Sequence, residues 1–304
     1  MNEFSVPDIS AETKGDPEQE RIRTIEALRG NSAVHRLMKT KGIPESVLSD
    51  QAYTFKRWLE AVAPCSGCRS LQECRQKTKG YHAGLSYDGI LLETKEACPY
   101  QRKKEESETH LERYIINDLG EEFYHAEFSS IDPDAETRQY NLVLKEVFEL
   151  AQQGKGAYLF GNMGTGKTYL AACVANQAAK EGRRVAFVHY PSFCDRLART
   201  YFTGEYQKEA ERCRYADLLV IDDIGAEEVT DRNRMVLISI LDERMAGRKM
   251  TWFTGNGDFA MLQNHLKFSG RGQDTAGADR IIERIRVLAK PIEVKGGDRR
   301  HIAG

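Results

Sequence analysis

Apolar positions along this chain follow two periods, and the change from one to the other divides it. Over 18–28, Ile22, Ile25 and Leu28 recur every third residue, and Ala33, Val34, Leu37 and Met38 extend the same helical stripe. Gly42 breaks the stripe, and Pro44 opens a further helical stretch. There Val47, Leu48, Phe55, Trp58, Leu59 and Val62 supply a small core or, for some of them, a partner surface. The stretch 65–98 has no such stripe and is rich in Gly, Lys and Arg. The charged run 101–113 reads as a solvated helix or linker, and the stripe returns at 141–150 with Val143, Leu144, Val147, Phe148 and Leu150. Beyond it lie short apolar runs at 157–160, 185–189, 218–221, 250–254 and 291–294, separated by helical stretches. Buried strands alternating with helices predict an α/β fold, with a five-stranded parallel sheet covered on both faces. The organisation expected is a flexible tail at 1–17, a small mainly helical domain at 18–103, a linker at 104–135 and the α/β domain at 136–304.

Composition narrows this little. Of the 304 residues 40% are hydrophobic and 30% charged, and the net charge of −2 leaves no global basic field, so any DNA contact must come from a local patch. No apolar run approaches the ~18 residues of a membrane span, and the acidic, polar start is not a signal peptide. A cytoplasmic protein is expected. Seven cysteines, four of them clustered, then point to metal rather than disulfides.

The strongest chemistry follows the apolar run 157–160. Gly161, Asn162, Met163, Gly164, Thr165, Gly166, Lys167 and Thr168 spell the phosphate-binding loop G-x-x-x-x-G-K-T, with an Ala-rich helical stretch after it. Glycines let backbone N–H groups turn inward around phosphate oxygens, and the helix N-terminus favours negative charge. Lys167 would reach the β- and γ-phosphates of ATP, and the Thr168 hydroxyl would coordinate Mg²⁺. The run 218–221 ends in Asp222, the expected Mg²⁺-side carboxylate, and Asp223, the expected base for the attacking water. Asn256, closing the run 250–254 through Gly255, can contact the γ-phosphate or that water, or simply belong to a turn. Arg280 and Arg284, four apart, share one helix face, which serves phosphate charge or only solvent.

The segment 65–98 has too little apolar material to fold alone, and a metal would supply the missing stabilisation. Cys65 and Cys68 form a C-x-x-C pair suited to Zn²⁺, while Cys74, His82 and Cys98 are one ligand more than four-coordination needs. The set chosen is Cys65, Cys68, His82 and Cys98.

The Gly161–Thr168 loop, the run 218–225 continuing as Ala226-Glu227, Thr254-Gly255-Asn256 and the segment 279–285 together resemble the AAA+ ATPases, and more closely their bacterial helicase-loader branch. The resemblance covers most of 141–304, and a Cys/His cluster ahead of such an ATPase narrows it further. It implies an ATP-dependent loader that places the hexameric replicative helicase on single-stranded DNA during primosome assembly. The helicase would bind the N-terminal domain, and DNA and ATP the AAA+ domain. Other primosome proteins and self-association on the helicase are the further partners implied, and no membrane is. The resemblance makes Asn256 sensor 1 and Arg284 the arginine finger, with Arg280 its rival, and it favours His82 over Cys74. It leaves sensor 2 to Arg299 or Arg300. The family's extra helix falls near 191–202, where Phe193, Tyr201 and Phe202 stack on bases with Arg196 and Arg199 on phosphates, or else fill a core. Asp223 departs from the Glu of many AAA+ proteins, so slow hydrolysis, stimulated by DNA or assembly, is expected. The competing readings are a transposition-helper ATPase and an adaptor that binds ATP without hydrolysing it.

Overall fold

The computed structural model describes residues 16–269, 272–297 and 299, so the expected tail lies outside it except for Asp16 and Pro17. The described residues form two compact units that divide between Ser107 and Glu108. None of the described helices is long and apolar enough to cross a membrane.

The first unit begins with helices α1 (Pro17–Arg29), α2 (Ser32–Lys41), α3 (Glu45–Asp50) and α4 (Ala52–Val62). The Asn31 side chain accepts from the N–H groups of Ala33 and Val34 to start α2, and Gly42, at φ 64°, ends it. An antiparallel hairpin follows, β1 (Tyr81–Tyr87) with β2 (Leu91–Ala97), and then α5 (Pro99–Glu108). Leu85 and Leu91 from the hairpin join Leu28, Phe55, Leu59 and Val62 in one core, and Trp58 Nε1 donates to the Ala83 carbonyl at 3.1 Å. The hairpin is therefore part of the small core that the apolar stripes outlined only in helices.

The second unit runs β3 (Tyr114–Asn117), α6 (Arg138–Gln152), β4 (Gly156–Phe160), α7 (Lys167–Lys180), β5 (Val185–His189), α8 (Tyr190–Thr200) and α9 (Tyr206–Tyr215). It continues as β6 (Leu218–Asp222), α10 (Asp231–Ala246), β7 (Met250–Gly255), α11 (Phe259–Lys267), the short pair β8 (Phe268–Ser269) and β9 (Gly272–Gln273), α12 (Thr275–Leu288) and β10 (Ala289–Glu293). The sheet order is β10-β4-β7-β6-β5-β3, every neighbour parallel. Its six strands correct the five expected. The extra one, β3, lies in the stretch read as linker; it is four residues long, at the sheet edge, with only Ile116 buried.

Alternation along each strand splits the core into two layers, because successive side chains point to opposite faces. Ala157, Leu159, Val185, Phe187, Leu218 and Val220 pack on the α6–α7 side. Tyr158, Ala186, Val188, Leu219, Ile221 and Phe253 pack on the side of α8 to α12. Both faces are covered, which is why these strands read as unbroken apolar runs.

Arg244 of α10 is fully buried. Its Nε donates to Thr251 Oγ1 at 2.8 Å, its Nη1 to the carbonyls of Cys213, 2.8 Å, and Ala216, 3.0 Å, and its Nη2 to that of Met250, 2.6 Å. The guanidinium so gathers the carbonyls where α9 ends and β7 begins. Burial pulls its pKa down to about 10. Arg244→Leu leaves these acceptors unpaired, and a loss of at least ~3 kcal/mol in urea unfolding is expected. A loss below ~1 kcal/mol would mean that the acceptors find other donors.

Candidate nucleotide-binding site

The phosphate loop joins the end of β4 to the start of α7. Gly161 sits at φ 143°, and a Cβ there would lie 2.5 Å from the Val294 carbonyl oxygen. Val294 N–H in turn donates to the Phe160 carbonyl at 2.7 Å, so the strand neighbour β10 is fitted against the loop. Gly164 and Gly166 also have positive φ, 80° and 93°, as a loop with inward N–H groups requires. Thr165 is buried, with its hydroxyl donating to the Asn162 carbonyl at 3.0 Å, while Met163 is exposed at the tip. Lys167 is buried and donates from Nζ to the carbonyls of Gly161, 2.9 Å, and Asn162, 2.7 Å. Burial lowers its pKa, opposed by the charges of Asp223 and Asp222. The lysine therefore has a short reach to the loop interior, Gly161 has no room for a side chain, and the positive φ of Gly164 and Gly166 suits a phosphate cradle.

Asp222 and Asp223 end β6 in different ways. Asp222 is buried, and its Oδ1 accepts from Thr168 Oγ1 at 3.0 Å and from Thr254 Oγ1 at 2.6 Å. Burial raises its pKa, and the two hydroxyl bonds oppose that rise. Thr168 and Asp222 thus present adjacent oxygens of the kind that hold Mg²⁺. Asp223 has a left-handed backbone, φ 58°. Its N–H donates to Thr254 Oγ1 at 2.9 Å, and its Oδ1 accepts from Asn256 Nδ2 at 3.3 Å. Thr254 is the link between the two acids that spacing did not reveal: its one hydroxyl accepts the Asp223 N–H and donates to Asp222.

The remaining expected site residues are placed elsewhere. Arg284 is bidentate to Asp242, 2.5 and 3.2 Å, and Arg280 is exposed; neither bonds to its own phosphate loop. Arg299 N–H donates to the Gly164 carbonyl at 2.9 Å, while its guanidinium pairs with Glu136 and lies 3.6 Å over the Tyr140 ring. Arg300 lies outside the described residues. Phe193 is a core residue, and Arg196 is paired with Asp118 and Glu209, both at 2.6–2.7 Å, so neither is available to DNA. Phe202, in contrast, is 87% exposed, and Arg232 lies 4.1 Å over the Tyr201 ring and 5.2 Å over that of Phe202.

The zinc set is not assembled. Among the described residues no group of three or more His, Cys, Asp or Glu side chains could hold a metal ion. His82 Nδ1 lies 2.8 Å from the Ala83 carbonyl, and His82 pairs in register with Glu96 of β2. Burial raises the pKa of the Cys65 thiol, a hydrogen bond from Gln76 opposes the rise, and the nearby thiols of Cys74, Cys68 and Cys98 add to it. All four thiols are free.

A parallel sheet in this order, a phosphate loop after β4, paired acids after β6 and an amide after β7 define an AAA+ P-loop protein. The model of the IstB-like ATP-binding protein family matches residues 72–302, and the chain belongs to that family. It is 30% identical over 267 residues to the replicative helicase loader DnaI of Bacillus subtilis (strain 168), covering 85% of this chain and 86% of that one. A crystal structure of DnaI superposes with a TM-score of 0.53 at 31% identity, over 63% of this chain and 99% of that one.

The turn after Asp223 is braced by a second buried acid. Glu227 Oε2 accepts from the Gly225 N–H at 2.7 Å, and its Oε1 lies 3.3 Å from His265 Nε2 on α11, an ion-pair distance without hydrogen-bond alignment. Glu227 raises the pKa of His265 against a smaller opposing effect of burial. A histidine whose folded pKa is raised contributes stability that is full below its unfolded pKa and lost as pH rises through the folded value. The melting temperature of wild type over His265→Gln should therefore be highest near pH 6 and shrink towards pH 8. A gap that stays constant with pH would show that the imidazole acts only by packing.

Proposed function

We propose that this chain is an ATP-dependent loader of the replicative DNA helicase, working in the cytoplasm during primosome assembly. The observation that carries the reading is the reach of the similarity to the Bacillus loader: at 85% of the chain it takes in the N-terminal unit as well as the ATPase fold. A transposition helper would need only the ATPase. The N-terminal unit docks on the hexameric helicase, and the AAA+ unit binds ATP and single-stranded DNA.

ATP supplies the phosphoanhydride bond whose cleavage resets the loader. Lys167 turns from the Gly161 and Asn162 carbonyls to phosphate oxygens, and Thr168 with Asp222 would hold Mg²⁺. Asp223, held by Thr254 and Asn256, takes the proton of the attacking water. Its arm is one methylene shorter than that of Glu, so turnover is slow until DNA or assembly improves the geometry. Because Arg284 and Arg280 make no bond to their own phosphate loop, they serve a neighbouring copy on the helicase: Arg280 is exposed, and Arg284 would leave Asp242. The aromatic pair Tyr201 and Phe202, with Arg232 over it and Arg199 exposed nearby in sequence, suits bases and phosphates of single-stranded DNA.

Mixing the protein with its host's replicative helicase tests the reading. A stoichiometric complex on size and mass should form, and Lys167→Ala should retain it but fail to bind ATP. In assembled mixtures, Lys167→Ala and Arg284→Ala subunits should together regain hydrolysis that each lacks. A silent mixture that still forms oligomers would pass the role to Arg280. Absence of any helicase complex would sink the loader reading.

Zinc belongs to the same proposal: closing Cys65, Cys68, His82 and Cys98 on one ion would stabilise a segment poor in apolar residues. Purified protein should carry about one Zn²⁺ per chain, kept in Cys74→Ser and lost in His82→Ala. Metal-free protein with an unchanged melting temperature would remove zinc, and the reverse pattern in the two variants would make Cys74 the ligand.

A further inference from the structure

The second unit has a cavity of about 790 Å³ at the end of the sheet opposite the phosphate loop. It opens where β4, β7 and β10 begin, at Gly156, Met250 and Ala289, whereas the phosphate loop leaves the other end of β4. A five-residue strand separates the two by ~15 Å. The cavity and the nucleotide site are therefore distinct.

Its lining is basic in a chain of net charge −2. Lys155, Arg248, Lys249, Arg286 and Lys290 contribute cations, against the carboxylates of Glu146 and Glu149. Three of the cations are engaged. Lys290 pairs with Glu146 at 2.7 Å, Lys249 donates to the Arg214 carbonyl at 3.1 Å, and Arg286 lies 5.0 Å over the Phe259 ring. The side chains of Lys155 and Arg248 are exposed and have no hydrogen-bond or ion-pair partner among the described residues. Leu150, Met250 and Leu288 give the same cavity an apolar part.

Arg248 also has an unusual backbone. Among the described residues only it and Asp223 are non-glycine residues with positive φ, 48° and 58°. Such a conformation costs an L-residue ~1 kcal/mol, and glycine adopts it freely. The residue just before it is a glycine, Gly247, which spends its freedom on φ −81°. At Asp223 the same backbone aims a carboxylate into the nucleotide site. This backbone is the left-handed cap that closes α10, with the Arg248 N–H donating to the Met245 carbonyl at 3.1 Å and the Lys249 N–H to that of Arg244 at 2.9 Å, and it leaves the unpartnered guanidinium on the cavity wall.

We propose that this cavity is a second ligand site, for a small phosphate-bearing molecule with an apolar or aromatic body, the chemical class of the nucleotides. Arg248 and Lys155 take the phosphates, as a guanidinium fork and an ammonium do. The Leu150, Met250 and Leu288 side of the cavity takes the body. The volume falls within the ~300–1,000 Å³ of small-molecule sites, and the cavity is half open to solvent, so a ligand can enter it directly.

Equilibrium dialysis of the full chain against ATP, GTP, AMP and tripolyphosphate tests this. Lys167→Ala, which empties the phosphate loop, should keep one saturable nucleotide site. Adding Arg248→Gly should weaken that site roughly tenfold or more without lowering the melting temperature, since the glycine relieves the backbone. In the chain with Lys167 intact, Arg248→Gly alone should reduce binding from about two nucleotides per chain to about one. The proposal is overturned if Lys167→Ala binds none of the four probes, or if Arg248→Gly leaves binding unchanged. Tripolyphosphate binding as tightly as ATP would overturn the nucleotide assignment in favour of bare polyphosphate. A single-stranded oligonucleotide held more tightly than any nucleotide, and released by Arg248→Gly, would replace it with a nucleic-acid track.

Discussion

One buried oxygen holds the nucleotide site together. Asp222 Oδ1 receives the hydroxyls of Thr168, at the start of α7, and Thr254, in β7. Three elements therefore close on a single acceptor at the carboxyl end of the sheet. A carboxylate this buried resists ionisation, and the two hydroxyl donors offset the cost of keeping its charge. Thr254 passes the order on, because the oxygen that donates to Asp222 also accepts the N–H of Asp223 and so fixes its left-handed backbone. The two acids are adjacent in sequence but do different work because only one of them is anchored through its side chain to both neighbouring elements.

The distribution of arginine follows a related logic. Arg196, Arg244 and Arg299 are used within the fold: the first spans Asp118 and Glu209, the second gathers carbonyls, and the third pairs with Glu136 beside the phosphate loop. A planar fork can satisfy several acceptors at once, which makes arginine a cross-link between segments far apart in sequence. Basic residues in this chain therefore cannot be read as a nucleic-acid surface by counting. Phe202 stays exposed, and half-buried Arg232 lies over its ring rather than in an ion pair.

Local features of this fold were legible in the sequence and long-range ones were not. The phosphate loop is written in eight consecutive residues, and the strands around it announce themselves because both of their faces are covered. The edge strand β3 has four residues and one buried side chain, too little pattern to separate from a linker. The hairpin β1–β2 buries Leu85 and Leu91 in the core, with Ala83 and Tyr87 packed partly against it, and shows no clean apolar alternation in sequence. Cysteine spacing identified a neighbourhood but not which side chains converge in it, since His82 sits on a strand whose direction depends on its pairing with β2. The bond from Thr254 to Asp222 and the pair Arg299–Glu136 join residues that no spacing relates.

The fit of Val294 against Gly161 sets the order in which a growing chain can become competent. β4 and its loop emerge from the ribosome long before β10, the strand that flanks them on the outer side of the sheet. Until then the loop lacks the backbone that bounds Gly161 and the partner of the Phe160 carbonyl. At ~5–20 residues per second the wait is on the order of ten seconds. Once β7 has formed, β4 is an open sheet edge until β10 arrives, and only then does the loop have the walls that shape a phosphate site. Nucleotide binding is thus a property acquired with the last strand, and a nascent chain stalled before it carries the full motif without the site.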